Sequence, residues 1–168
     1  DAAGTTRTVA YAYDALKRLT AEAIPHRDPT RNRTSTWTYD RVGNRLTQMI
    51  HTAVGTEGAA TAATQYIYDA NDRLTAETTT VGATSAATLY AYDANGNTVT
   101  KTTPSGPIDY VYNDANRLVE MRQSGERTTY AYDADGLRIA QTRYPATGDP
   151  VTTRYLQDPS YAYSQVIE

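Results

Sequence analysis

Three observations in this 168-residue sequence predict an all-β fold, an array of antiparallel β-hairpins that forms a long, curved or spiralling sheet. The motif aromatic-x-Tyr-Asp recurs along the chain, a cluster of turn-forming residues follows each copy, and each cluster gives way to an aliphatic, Thr-rich tail. Side chains alternate across a strand, so both rings of a Tyr-x-Tyr lie on one face. Asp can bond backbone N–H groups just beyond it, while Gly and Asn tolerate positive φ, which together mark a tight turn. A β-branched tail then supplies the returning strand, so each copy reads as one hairpin.

The composition fits this reading. The chain has 29 Thr, 25 Ala and 15 Tyr, against 8 Leu, 6 Ile, 9 Val and no Phe. Such a thin aliphatic share suggests disorder only when high net charge accompanies it, and here the net charge is −3. Thr and Tyr belong on a pleated surface, where cross-strand aromatic pairs contribute roughly 0.2–1 kcal/mol each. Tyr, unlike Phe, can also place a hydroxyl against a neighbour. Arg outnumbers Lys 14 to 2, and guanidinium lies well across aromatic rings.

Taken in order, the first repeat spans 11–35 and opens on Tyr11-Ala12-Tyr13-Asp14. A helix over 14–24 would place Leu16, Leu19 and Ala23 near one face, but the equivalent stretch is β-branched in the other copies, so a strand is expected. The second, 37–64, opens on Trp37-Thr38-Tyr39-Asp40, and the third, 66–88, on Tyr66-Ile67-Tyr68-Asp69. The fourth, 90–107, carries Tyr90-Ala91-Tyr92-Asp93 and the turn cluster Ala94-Asn95-Gly96-Asn97. The fifth, 110–127, opens on Tyr110-Val111-Tyr112 with Asn113, rather than Asp114, in the Asp position. The sixth, 130–150, opens on Tyr130-Ala131-Tyr132-Asp133, and a degraded copy over 155–168 starts at Tyr155-Leu156-Gln157-Asp158. All belong to one repeat segment, 1–168, of about 12 to 14 strands, a size at which open sheets tend to curl.

The distance from Asp to the first aliphatic alternates between 5 and 6 residues: Asp14 to Leu19, Asp40 to Leu46, Asp69 to Leu74, Asp93 to Val99, Asn113 to Leu118, Asp133 to Ile139. A one-residue shift moves a side chain to the other face of a strand, so two alternating connection geometries are expected. The connections between hairpins vary: 25–29, 53–64 and 81–87 read as loops, while 104–107 and 124–126 are tight. Insertions are therefore confined to one rim of the sheet.

Several functions are excluded or disfavoured. A pI near 5.4 offers no basic footprint for nucleic acid. No apolar run reaches the ~18 residues that cross a membrane as a helix. There is no Cys, and the only histidines are His26 and His51, without a ligand cluster around them. The stretch from Asp93 to Asn97 resembles a calcium loop, but Thr98 and Pro104 stand where that loop needs Gly and Glu. No nucleophile elbow, phosphate loop or zinc signature is present, so no catalytic, metal or cofactor residue is assigned and no enzyme is expected.

The residues singled out are structural: Tyr11, Tyr13, Asp14, Trp37, Tyr39, Asp40, Tyr66, Tyr68, Asp69, Tyr90, Tyr92, Asp93, Tyr110, Tyr112, Tyr130, Tyr132 and Asp133. The tyrosine face admits a second reading, as an aromatic platform for glycans at a cell surface. His26, Arg27, Arg31 and Arg33 form a local basic loop, read as a solvated rim. Asn32-Arg33-Thr34 matches the glycosylation acceptor pattern. An open strip has two unpaired edges, so self-association through terminal strands is expected. The opening at Asp1-Ala2-Ala3-Gly4 and the ending at Val166-Ile167-Glu168 suggest a piece of a longer protein.

The Tyr-x-Tyr-Asp…Gly/Asn…Arg-Leu-Thr unit resembles the YD repeat of the RHS-repeat family, which includes bacterial Rhs and wall-associated toxins, Tc toxin shell components and teneurins. The resemblance covers roughly Val9 to Asp158. It implies a spiral of hairpins forming part of a β-shell or cocoon, whose partners are the rest of the parent shell and the toxin or effector domain it encloses. It also implies a secreted or cell-surface bacterial setting. The Asp-Pro-x-Gly core motif that carries self-cleavage in such proteins is missing, so neither autoproteolysis nor toxin activity is implied for this chain.

Overall fold

The computed structural model describes residues 8–52, 60–158 and 165–167. Their regular structure is fifteen β-strands and one short 3-10 turn, Pro29–Arg31. In chain order the strands are β1 (Ala10–Tyr13), β2 (Leu19–Ile24), β3 (Arg33–Tyr39), β4 (Arg45–Thr52), β5 (Ala60–Tyr68) and β6 (Leu74–Val81). They continue as β7 (Thr84–Tyr92), β8 (Thr98–Thr103), β9 (Gly106–Tyr112), β10 (Leu118–Gln123), β11 (Glu126–Tyr132) and β12 (Arg138–Tyr144). Last come β13 (Val151–Arg154), β14 (Leu156–Asp158) and β15 (Gln165–Ile167).

The chain groups into two units, Asp1–Thr88 and Leu89–Glu168, divided within β7. In the first, β1 to β6 pair antiparallel in sequence order. In the second, the end of β7 leads an antiparallel series through β8 to β13. Strands β14 and β15 form a separate two-stranded sheet. The fold is thus all-β and built from antiparallel hairpins, and β1 to β13 keep chain order, thirteen strands where 12 to 14 were expected.

All six motif hairpins share one register. The Tyr before the motif Asp or Asn faces the residue six positions on: Tyr13 with Leu19, Tyr39 with Arg45, Tyr68 with Leu74, Tyr92 with Thr98, Tyr112 with Leu118 and Tyr132 with Arg138. The register then slips at the next residue in every hairpin, a β-bulge that adds local twist. The expected alternation of connection geometries therefore does not extend to the register. What alternates is the side chain held at a fixed position. Leu19, Leu74 and Leu118 sit opposite the tyrosine, where the other class carries Arg45, Thr98 and Arg138. Displaced by one residue, Leu46 and Ile139 lie exposed at 40% and 38%.

Two expected loops also need correction. Val81 to Ala87 is not a loop, because β6 ends at Val81, β7 begins at Thr84, and only Gly82 and Ala83 connect them. Of the 53–64 stretch, Ala60 to Thr64 belong to β5, extended by its pairing with β4; residues 53–59 lie outside the described residues. Thr- and Ala-rich sequence carries no turn chemistry, so it extends along a neighbouring strand when one is available.

The core is thin. Among the described residues only Ser35, Trp37 and Thr128 are buried. In motif terms they lie three or five residues before the Asp, on the face that carries the rings. The rings from Tyr66 to Tyr132 are half-buried, whereas the residues between them, Ile67 at 59% and Val111 at 39%, are exposed.

Candidate functional site

The chemistry of this chain is concentrated at the hairpin turns. Asp14 Oδ1 accepts from the backbone N–H groups of Leu16 and Arg18, both at 2.9 Å. Asp69 does the same with Asn71 and Arg73, and Asp93 with Asn95 and Asn97. Asp40 Oδ1 gathers three, from Val42, Gly43 and Asn44, while Asp133 takes that of Leu137 at 2.8 Å. Asn113 fills the same place, its Oδ1 accepting from Ala115 and Arg117 at 3.0 Å. The backbone closes each turn identically: the N–H of the motif residue donates to the carbonyl four residues on, in all six copies. The third residue after it always has positive φ, and there the two classes part. Gly43, Gly96 and Gly136 have φ of 108, 87 and 87°, whereas Lys17, Asp72 and Asn116 have 65, 60 and 56°.

The second carboxylate oxygen differs between classes as well. Asp14 and Asp69 each accept from an Arg Nε at 2.7 Å, from Arg18 and Arg73. Asp40 and Asp93 accept instead from the side-chain amides of Asn44 and Asn97. These contacts govern ionisation. The Arg18 and Arg73 backbone N–H groups lead in lowering Asp14 and Asp69 below the ordinary carboxylate range. For Asp93 the Asn97 amide leads, and for Asp40 partial desolvation opposes the shift but the N–H groups of Asn44 and Gly43 outweigh it.

The same residues tie neighbouring turns within each unit, the first to the second and the second to the third, then the fourth to the fifth and the fifth to the sixth. Arg18 Nη1 donates to the Asp40 carbonyl at 2.7 Å, and Arg117 Nη1 to the Asp133 carbonyl at 3.4 Å. Asn44 Nδ2 donates to Asp72 Oδ1 at 2.8 Å; Asn95 and Asn97 both donate to Asn116 Oδ1 at 3.0 Å. Within each unit the turns thus form a hydrogen-bonded ladder.

The motif tyrosines add a second set of joints, pointing the other way along the chain. The hydroxyl of Tyr39 donates to the Leu19 carbonyl at 2.7 Å, that of Tyr68 to Arg45 at 2.9 Å and that of Tyr132 to Leu118 at 2.7 Å. Each reaches the first residue of the preceding hairpin's returning strand, which is why phenylalanine cannot serve. Burial pushes the Tyr68 and Tyr112 hydroxyls up from their ordinary value. Cations cover the rings: Arg18 lies 4.8 Å from the Tyr39 centroid, Arg117 5.9 Å from Tyr132 and Lys101 5.5 Å from Tyr90. Arg45 bridges Trp37 and Tyr66, and Arg138 bridges Tyr130 and Tyr155. At the N-terminal end of the described residues Tyr11 and Tyr13 stand exposed, at 54% and 59%.

The remaining candidates are not brought together. His51 Nδ1 meets the Thr61 hydroxyl, while His26 Nδ1 accepts the Asp28 N–H and its own N–H donates to Asn32 Oδ1. Arg27, Arg31 and Arg33 are exposed. Among the described residues no group of three or more His, Cys, Asp or Glu could hold a metal. Sequence reasoning missed the turn-to-turn ladder and the Gln partners of the rings. The signal was present: eight residues after Asp40 and Asp133 stand Gln48 and Gln141, and Gln48 Oε1 accepts from the Tyr66 hydroxyl at 3.1 Å.

Comparison with known proteins decides the family. The family model of the teneurin YD-shell matches residues 2–149. The chain belongs to the YD-shell family. Its YD-shell fold is similar to the crystal structure of TcdB2-TccC3 without the hypervariable C-terminal region, at a TM-score of 0.57 and 16% identity, covering 98% of this chain. The crystal structures of TcdB2-TccC3 and TcdB2-TccC3-Cdc42 give TM-scores of 0.56 and 0.55 at the same identity and coverage. The chain spans only 10% to 11% of the length of those chains. No curated protein matches the sequence.

Proposed function

We propose that this chain is a wall segment of a YD-shell protein, scaffolding or encapsulating a toxin or effector domain that lies outside it. The observation that carries the reading is the pair of joints between neighbouring hairpins, tyrosine hydroxyls on the strands and side-chain amides or guanidiniums at the turns. The motif residues thereby serve cohesion rather than catalysis, and the segment acts as a non-enzymatic structural element of a secreted or cell-surface bacterial protein. Its partners are the remaining hairpins of the parent shell and the enclosed domain.

The repeat segmentation belongs to the same reading, with Tyr155 opening a seventh copy. Its N–H donates to the Ile139 carbonyl at 2.9 Å and its ring shares Arg138 with Tyr130, as Tyr66 shares Arg45 with Trp37. The glycan-platform reading is less favoured, because arginines already lie over ring faces on which a sugar would stack.

The test is limited proteolysis of the longer protein carrying this segment. With Tyr39, Tyr68 and Tyr132 replaced together by Phe, the enclosed domain should be digested faster than in the unaltered protein. A domain equally digestible with or without the intact wall would sink the proposal. A glycan array with bound sugar, lost on Tyr92→Ala or Tyr112→Ala, would favour the adhesion reading instead.

A further inference from the structure

Asn95-Gly96 is the only Asn-Gly pair in the sequence. It lies at the tip of the fourth hairpin turn, with Asn95 exposed and Gly96 at φ 87°. A glycine offers the least obstructed backbone nitrogen to the side chain before it. Here the surroundings are open too, since a Cβ built on Gly96 would meet nothing within 4 Å. The Gly96 N–H donates to the Asp93 carbonyl at 3.2 Å and also lies against the Asp93 carboxylate, so the nitrogen must leave the turn's own acceptors before it can react.

We propose that Asn95 is a site of spontaneous deamidation that loosens the fourth hairpin turn from the fifth. The Gly96 nitrogen, losing its proton to water, attacks Asn95 Cγ; the new C–N bond closes a five-membered imide as the Cγ–Nδ2 bond breaks and ammonia leaves. Water then opens either imide carbonyl, giving aspartate or isoaspartate. No other reactant is required.

The product disturbs the ladder of turns. Asn95 Nδ2 and Asn97 Nδ2 both donate to Asn116 Oδ1 at 3.0 Å. A carboxylate at position 95 cannot donate, so the first of these bonds is lost. Turning the Asn116 amide round to donate to the new carboxylate would sacrifice the second. Either way the rim loses one of two bonds between adjacent turns.

The molecule carries its own control. Asp135-Gly136 holds the same place in the sixth turn and can close the same imide by losing water. There, however, the carboxyl group closes the ring more slowly than an amide does, and the Arg117 guanidinium fills the space beside Gly136 that is open beside Gly96. Asp135 is accordingly expected to persist.

The test is to incubate the folded chain at mildly alkaline pH and follow its tryptic peptides by mass spectrometry, together with methyl acceptance by an isoaspartyl methyltransferase. The expected result is amide loss at Asn95 before Asn97 or Asn116, with a lower thermal midpoint for the deamidated fraction. Asn95→Gln, whose ring closure is slow, should abolish both signals while keeping an amide donor at the position. The proposal is overturned if Asn95 survives conditions that deamidate a free Ala-Asn-Gly-Asn peptide, if another Asn reacts first, or if the deamidated chain melts at the original temperature. None of these outcomes bears on the wall function.

Discussion

The turns after Asp40, Asp93 and Asp133 and those after Asp14, Asp69 and Asn113 are built to one plan from different parts. Both close with the same backbone hydrogen bond and the same positive-φ position. The first class meets the φ requirement with Gly. The second places Lys17, Asp72 and Asn116 there, in a region that costs an L-residue about 1–2 kcal/mol. Both classes reach neighbouring turns by different means: Arg18 and Arg117 of the second bond forward to main-chain carbonyls, while Asn44, Asn95 and Asn97 of the first donate to Asp72 and Asn116. Glycine turns are relaxed and donate; in the others, Asp72 and Asn116 are at once the positive-φ residue and the acceptor.

Acid provides the broadest way to break this comparison, because it acts on both classes at once. Asp14, Asp40, Asp69 and Asp93 all have lowered pKa values in the fold. The unfolded chain therefore binds protons first as pH falls. Their stabilisation is complete above the ordinary carboxylate pKa of ~3.9 and is lost as pH drops through the lower folded values. Thermal midpoints measured from pH 7 down to pH 3 should fall together for Asp40→Asn and Asp69→Asn backgrounds, each less steeply than wild type. A response confined to one class would show that Asp is not the shared anchor.

Gly136→Ala should be the most damaging single turn substitution, at about 2–3 kcal/mol. It forces a side chain into positive φ and displaces the flexible Arg117 guanidinium from its bond to the Asp133 carbonyl. Gly43→Ala meets only the backbone penalty, about 1–2 kcal/mol, since nothing lies within 4 Å. Equal losses in chemical denaturation would remove the distinction. Next in size, Tyr39→Phe and Tyr132→Phe should each cost about 1 kcal/mol, the worth of one hydrogen bond whose carbonyl acceptor is then left without it. Lys17→Gly should be smallest, within about 0.5 kcal/mol of neutral, because relief of strain is offset by the added freedom of the unfolded chain. Asn116→Gly relieves the same strain but should destabilise, since it removes the acceptor for Asn95 and Asn97.

The hairpins were legible in the sequence because each is local: ring spacing fixes a face and Asp fixes a turn within five residues. Even Asn113 could be assigned over Asp114, and it holds its turn by the same two backbone bonds as Asp14. The register was misread because the aliphatic was used as the ruler. The real ruler is the hydrogen bond from the Asp N–H to the carbonyl four residues on, which is blind to whether position five holds Leu19 or Arg45. The joints were hidden for another reason. Arg18 meets Asp40 and Tyr132 meets Leu118 across intervening loops of unequal length, so no fixed spacing announces them.

Those joints have a consequence for how such a chain can change over time. Tyr39, Tyr68 and Tyr132 address carbonyls belonging to Leu19, Arg45 and Leu118, and Arg18 and Arg117 address carbonyls of Asp40 and Asp133. In each case the acceptor is main chain, which every residue possesses. At these joints a hairpin recognises its neighbour as a peptide backbone of given shape, whereas the amide joints, Asn44 to Asp72 and Asn97 to Asn116, require a particular side chain on the partner. Hairpins held by main-chain acceptors can be duplicated, deleted or exchanged with those joints intact, while the side chains at positions such as Asp72 and Asn116 are constrained by the turn beside them.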